Sequence, residues 1–226
     1  MSETELAPGI LVIDRPLRVA GLPLGTRTTA VQLSTGGLWV HSPGPLDDAA
    51  RAALEKRGPV RALVAPNAMH HLFLPENAAA FPDAQVWAAP GVRAKRKEIA
   101  DIHELGGSAP GLWSADLQQV AIEGVPRLTE YAFFHAASRT LLLTDLCFNV
   151  HHSDSWLTRT FMRLNRAWQR FGPSRMMRSM IRDKAALRGS LDRVLEWDFD
   201  RVVVTHGEVL AGGGRDALRD AFARIC

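Results

Sequence analysis

The stretch from Val60 to Ala88 constrains the fold of this chain more than any other. It contains the run Val60-Arg-Ala-Leu-Val-Ala65, a polar loop from Pro66 to His71, a helical pattern from Pro75 to Phe81 and the run Gln85-Val-Trp-Ala88. Short runs rich in β-branched and aromatic residues, bounded by turn formers, read as strands. A helix between two such strands acts as a crossover, and a crossover joins parallel neighbours. The expectation is an α/β fold with parallel strand pairing.

The flanking sequence extends this pattern. Ile10-Leu-Val-Ile13 is one short strand, and Ala30 to Leu33 with Leu38 to His41 form a hairpin about Gly36-Gly37. Asp47 and Asp48 open a helix to about Arg57, where acids suit the positive end of the helix dipole. Gln118 to Ile122, Thr129 to Phe134 and Thr140 to Thr144 read as a second sheet. From Trp156 the period changes. Leu157, Phe161, Leu164, Trp168 and Phe171 recur at helical spacing up to Gly172-Pro173. Met176 to Ile181 suggests a short second helix, and Leu187, Leu191, Val194 and Leu195 a third. The strand Arg201 to Thr205 and a helix from about Arg215 close the chain. One domain over residues 1–226, with a helical and basic insertion at about 154–198, is the expected organisation.

A composition that is 46% hydrophobic and 23% charged is that of a globular chain. Cys147 and Cys226 lie far apart, which suggests neither a disulfide framework nor a cysteine-rich metal site and fits a reducing cytoplasm. The acidic opening Met1-Ser-Glu-Thr-Glu-Leu does not read as a secretory signal, and no run reaches the roughly 18 apolar residues of a membrane span. The expectation is a soluble cytoplasmic protein.

Three apolar runs are each followed by side chains that ligate metals. His70 and His71 follow Ala65, Asp145 follows Leu141-Leu-Leu-Thr144, and His206 follows Val202-Val-Val-Thr205. Carboxyl ends of strands in an α/β sheet gather at the edge where ligands bind. Histidine and carboxylate together suit a borderline divalent cation.

At these residues the chain resembles the metallo-β-lactamase superfamily, and within it a branch that carries Ala-Pro-Asn-x-x-His-His and a late Thr-His-Gly. The matching stretches are Ala65 to His71, Leu143-Thr-Asp145-Leu and Thr205-His206-Gly207-Glu208. The resemblance implies a four-layer αββα sandwich with a helical insertion. The superfamily's His-x-His-x-Asp-His motif, aligned on its last histidine, falls here on Pro66, Ala68, His70 and His71, so the motif is degenerate. No histidine stands near Val125-Pro126-Arg127, where the third ligand of the first metal site is expected. The resemblance therefore implies at most one metal (Zn²⁺, Fe²⁺ or Mn²⁺), held by His70, His71, Asp145 and His206, in a hydrolase-like enzyme acting on an ester, amide, thioester or phosphoester. A bound metal brings the pKa of water toward neutrality. The competing expectation is a non-catalytic protein that uses the same cleft, without metal, for a ligand or partner.

Asn67 is a candidate pocket residue, as a donor to a ligand oxygen or as the residue that closes its own turn. His151 and His152, shortly after Asp145, are candidates to enter the pocket or to face solvent. His41, His103 and His135 lack a paired context and read as structural. The segment Trp156 to Gly189 carries eight arginines and Lys184 against one acid, Asp183, and is therefore +8 in a chain of net charge +3. Such a face is most often simply solvated; among functional roles a lid over the pocket is favoured, with steering of a small anionic substrate second. Contact with an acidic membrane surface ranks below these. Specific nucleic-acid binding is not expected, because no base-reading motif or stacking array accompanies the charge. Gly212-Gly-Gly214 lacks the context of a nucleotide loop, and no Gly-x-Ser-x-Gly elbow occurs.

Overall fold

The computed structural model describes residues 2–225; Cys226 lies outside the described residues. The first half holds β1 (Ser2–Ala7), β2 (Ile10–Arg15), β3 (Arg18–Val19), β4 (Leu22–Pro23), β5 (Thr26–Gln32), β6 (Leu38–His41), α1 (Asp48–Glu55), β7 (Val60–Ala65), α2 (Leu74–Ala80), β8 (Gln85–Ala88), α3 (Val92–Lys95) and β9 (His103–Glu104). The second holds β10 (Leu117–Ala121), β11 (Tyr131–His135), β12 (Thr140–Leu142), α4 (Trp156–Leu164), α5 (Arg175–Ser179), α6 (Lys184–Leu195), β13 (Arg201–Val203) and α7 (Gly214–Phe222).

Seven strands form one sheet in the order β1-β2-β5-β6-β7-β8-β9, and four form another in the order β10-β11-β12-β13. The expected crossover is present, since β6, β7, β8 and β9 pair in parallel. In the second sheet only β12 and β13 are parallel.

Alternation along the strands builds the layers. On β2, Ile10 and Val12 point between the sheets while Leu11 and Ile13 point outward; on β7, Ala62 and Val64 do the former and Leu63 and Ala65 the latter. The outward side chains pack on Ala50 and Leu54 of α1 and Leu74 of α2. Phe133, Leu142 and Val203 meet the first sheet across the middle, with Trp39 and Trp113 buried there. Leu141 and Val202 face the other way, onto Leu187, Leu191 and Val194 of α6 and Leu218 and Phe222 of α7. Helix, sheet, sheet, helix is the order of layers. The continuous apolar runs follow from it, because a strand covered on both faces has no polar side to alternate with.

Three expectations are corrected. α4 stops at Leu164 instead of continuing to Phe171: Asn165 caps it, and Arg166 and Gln169 have φ of 55° and 52°, outside the helical region. α6, expected within the helical insertion, packs through Leu187, Leu191 and Val194 on the outer face of the second sheet. The acidic opening, read only as lacking an apolar run, forms β1 on the edge beside β2. Cys147 is buried, and burial pushes its thiol pKa up, which leaves it a small apolar core residue. No helix among the described residues is long and apolar enough to cross a membrane.

Candidate metal centre

The parallel pairing of β12 with β13 sets the loops after Leu142 and Val203 side by side, and β6 and β7 bring Ser42 and the loop from Pro66 to His71 from the facing sheet. His70, Asp145 and His206 meet there, each offering a ligand atom within 4.8 Å of the others. Among the described residues this is the one cluster of three or more such side chains that could hold an ion.

Both rings are held from behind. His206 Nδ1 lies 2.8 Å from the Gly25 carbonyl oxygen, and a carbonyl accepts only, so Nδ1 carries the proton. In the neutral ring the lone pair is then on Nε2, which faces Asp145 Oδ1 at 3.6 Å. That distance is too long for a hydrogen bond. Two electron-rich atoms confront each other across a gap suited to a cation. His70 is likewise held at Nδ1, 2.8 Å from Ser42 Oγ, but its Nε2 lies 3.1 Å from Asp145 Oδ2, within hydrogen-bonding distance of the carboxylate. Ser42 reaches this position from a left-handed backbone, φ 51°.

The charges follow from the surroundings. Burial opposes ionisation of Asp145, but His70, His206 and the Asn67 amide outweigh it and hold the carboxyl well below its usual range. Burial lowers the pKa of His206 more than Asp145 raises it, so the ring stays neutral. Burial also works against charge on His70, yet Asp145 prevails and its pKa rises.

Beneath the cluster lies Glu130, fully buried. Its carboxylate accepts from the backbone N–H of Thr144, Asp145 and Leu146 at 2.7, 2.9 and 3.0 Å, and from Asn67 Nδ2 at 3.2 Å. The turn that presents Asp145 is wound around this one side chain. Burial first, and then the neighbouring Asp145, push its pKa up. Asn67 joins the two loops: its carbonyl oxygen accepts from the N–H of Met69 and His70, each at 2.8 Å, while its amide donates to Thr144 Oγ1 and Asp145 Oδ2, each at 2.9 Å. Gly207, at φ 101°, lets the chain after His206 pass close to Asn149, where a Cβ would collide with the Asn149 carbonyl.

Of the four residues expected at the metal, three converge and one does not. His71 turns away from the cluster, and its Nδ1 accepts a 2.8 Å hydrogen bond from Arg96 Nε. Successive residues in a turn project in different directions, and Arg96 captures this ring. Asn67 is no pocket residue, since it is fully buried behind the ligands. His151 and His152 line a separate small cavity with Arg15, Arg27 and Glu208. There His151 Nε2 meets Asn149 Oδ1 at 2.9 Å, and the exposed His152 pairs with Glu208. His41 stacks on Trp39, where burial and then His70 lower its pKa to about 3. His103 stacks on Trp87, and His135 bonds Ser138.

Sequence reasoning missed Glu130, Ser42 and Gly25. The signal for Glu130 was an acid directly before the apolar run of β11. Ser42 and Gly25 gave none, because their partners are distant in the chain.

The cluster forms the polar floor of a cavity of about 380 Å³. Its walls are apolar, with Leu17, Leu24, Phe148, Phe161, Met162 and Met177 among them, and they include no lysine or arginine. Phe148 stacks on the His206 ring, with centroids 5.7 Å apart.

Comparison with known proteins places this architecture. Residues 9–94 match the model of a family described as a domain of unknown function, DUF4336. No curated protein matches the chain in sequence. Its fold is that of the metallo-β-lactamases. The Erythrobacter litoralis enzyme, solved with β-mercaptoethanol in its active site, superposes with a TM-score of 0.64 at 15% identity, over 99% of this chain and 93% of that one. The mono-zinc form of FIM-1 from Pseudomonas aeruginosa gives 0.63 at 12% identity, covering 98% and 91%. The Pontibacter korlensis protein gives 0.62 at 11% identity, with 96% of each chain covered.

Proposed function

We propose that this metallo-β-lactamase-fold protein is a hydrolase that works with a single divalent ion held by His70, Asp145 and His206. One observation carries the reading: the neutral His206 ring, its proton committed to Gly25, presents a lone pair to a carboxylate oxygen too far away to share a proton. Two imidazoles and one carboxylate suit Zn²⁺, Fe²⁺ or Mn²⁺ and leave a coordination position open. The mono-zinc form known for FIM-1 shows that a neighbour of this fold is found with one zinc.

A single site also agrees with what stands at the rest of the superfamily motif. Pro66 and Ala68 offer no ligand side chain, and their backbones bond to Tyr131 and Leu128. When bound, the ion supplies Lewis acidity and makes water a nucleophile near neutral pH. The chain's own contribution is position. Ser42 and Gly25 orient the two rings, Glu130 and Asn67 hold the Asp145 turn, and the apolar walls keep bulk water from the reacting bond.

Elemental analysis of protein purified without chelator tests the reading. The wild type and His71→Ala should carry a transition metal, and His206→Ala should not. Wild-type protein that lacks metal and takes up none on titration would overturn it, leaving a cleft that binds without metal.

A further inference from the structure

Seven large apolar side chains are strongly exposed among the described residues, and none of them is scattered. Val19, Met69, Leu72 and Met176 line the cavity above the candidate metal centre. Trp156, Leu157 and Leu164 lie on α4, the helix that contributes Phe161 and Met162 to the cavity wall. Leu157, Phe161 and Leu164 form the stripe read from the sequence, yet the core side of α4 is Thr158 and Met162. Phe161 is half-buried at the cavity, while Leu157 and Leu164 are 48% and 67% exposed on either side of it. The outer members of the stripe therefore face solvent on the helix that walls the cavity, instead of packing inside.

The same segment carries the positive charge. Arg163, Arg166, Arg170, Arg175, Arg178 and Arg182 are exposed. Neither they nor Arg159 form an ion pair among the described residues. The exposed acids Asp154 and Asp183 flank the segment, and Asp183 is occupied in capping α6. Exposed apolar side chains on a cavity and on the helix that walls it, set in arginines without carboxylate partners, are complementary to a surface that is apolar inside and anionic outside. An anionic bilayer has that character; a small anion does not, and no arginine lines the cavity to receive one.

We propose that this rim is an interfacial docking surface for anionic membranes, and that the cavity behind it receives the acyl chain of an amphiphile drawn from the bilayer. The second half deepens the hydrolase reading: the apolar walls take the chain, while the polar bond next to it lies over His70, Asp145 and His206. Methionines at 69, 176, 177 and 180 line this path, and their flexible thioethers adapt to chains of different shape.

Cosedimentation with vesicles of phosphatidylcholine alone, and of phosphatidylcholine mixed with phosphatidylglycerol, tests the docking half. It should be run on protein as purified and after chelation. We expect binding to the anionic vesicles only, weakened by salt, unchanged by chelation, and reduced at least about tenfold in the Leu157→Ser/Leu164→Ser double variant, whose positions are exposed. Equal binding to both vesicles, or no loss in the double variant, would overturn it. Because the readout does not depend on metal, its failure is distinct from failure of the hydrolase reading. For the cavity, the fluorescent fatty acid cis-parinaric acid should bind the wild type and bind at least about tenfold more weakly to Met176→Glu, whose carboxylate would sit at the mouth. Undetectable binding to the wild type, or equal binding to both proteins, would overturn the acyl-chain half.

Discussion

The strand-end cluster and the α4–α5 rim lie on the same cavity and are built in opposite ways. In the cluster, polar atoms are buried and answered: Glu130 takes four N–H groups, and Asn67 uses both its carbonyl and its amide. At the rim, apolar side chains are exposed, and Arg163 to Arg182 have no carboxylate partners among the described residues. Satisfied burial gives rigidity, because breaking any one bond strands a partner without water. Exposed apolar area beside unpaired charge contributes little to folding and is available for binding. The cluster is thus built to hold a geometry, and the rim to meet something else.

That contrast can be broken from either side. The largest effect is expected from Glu130→Ala, which leaves three backbone N–H groups and the Asn67 amide without their acceptor; a stability loss of about 3–5 kcal/mol in urea unfolding is expected. A loss below about 1 kcal/mol would show that the buried carboxylate is not what organises the Asp145 turn. Gly207→Ala should cost about 3 kcal/mol, from positive φ and the collision with Asn149, and should lower metal affinity because His206 is displaced with it. Unaltered stability there would mean that the turn can relax. Ser42→Ala removes only the partner of His70 Nδ1. Calorimetric titration should show metal binding weakened about 10–100-fold with the fold intact. The smallest stability effect belongs to Leu157→Ser/Leu164→Ser, within roughly 0.5 kcal/mol, since both side chains already face water. A large destabilisation would place α4 in the core and remove the contrast.

The two regions were not equally legible in the sequence. The sheets could be read because apolar runs such as Val202 to Val204 record burial on both faces, a local signal. Chain order alone put His70, Asp145 and His206 after strand ends, and the fold brought them together. What could not be read were the choices made by distant partners. Arg96, on the far side of β8, draws His71 away while Ser42 holds His70, and nothing in the dipeptide itself separates the two rings. Asn67 illustrates the same limit: its turn-closing role could be read, but not that its amide, fully buried, donates to Asp145 from a distant strand end instead of to a ligand. On α4 the spacing of Leu157, Phe161 and Leu164 revealed a helix but not what its stripe faces, because periodicity carries the shape of a surface without naming its neighbour.

The central claim is that three side chains from three strand ends form one metal site. Isothermal titration of the metal-free protein with Zn²⁺ tests it most directly. The account predicts one ion bound per chain, retained in His71→Ala and lost in Asp145→Asn. No heat in the wild type, two ions per chain, or undiminished binding by Asp145→Asn would contradict it.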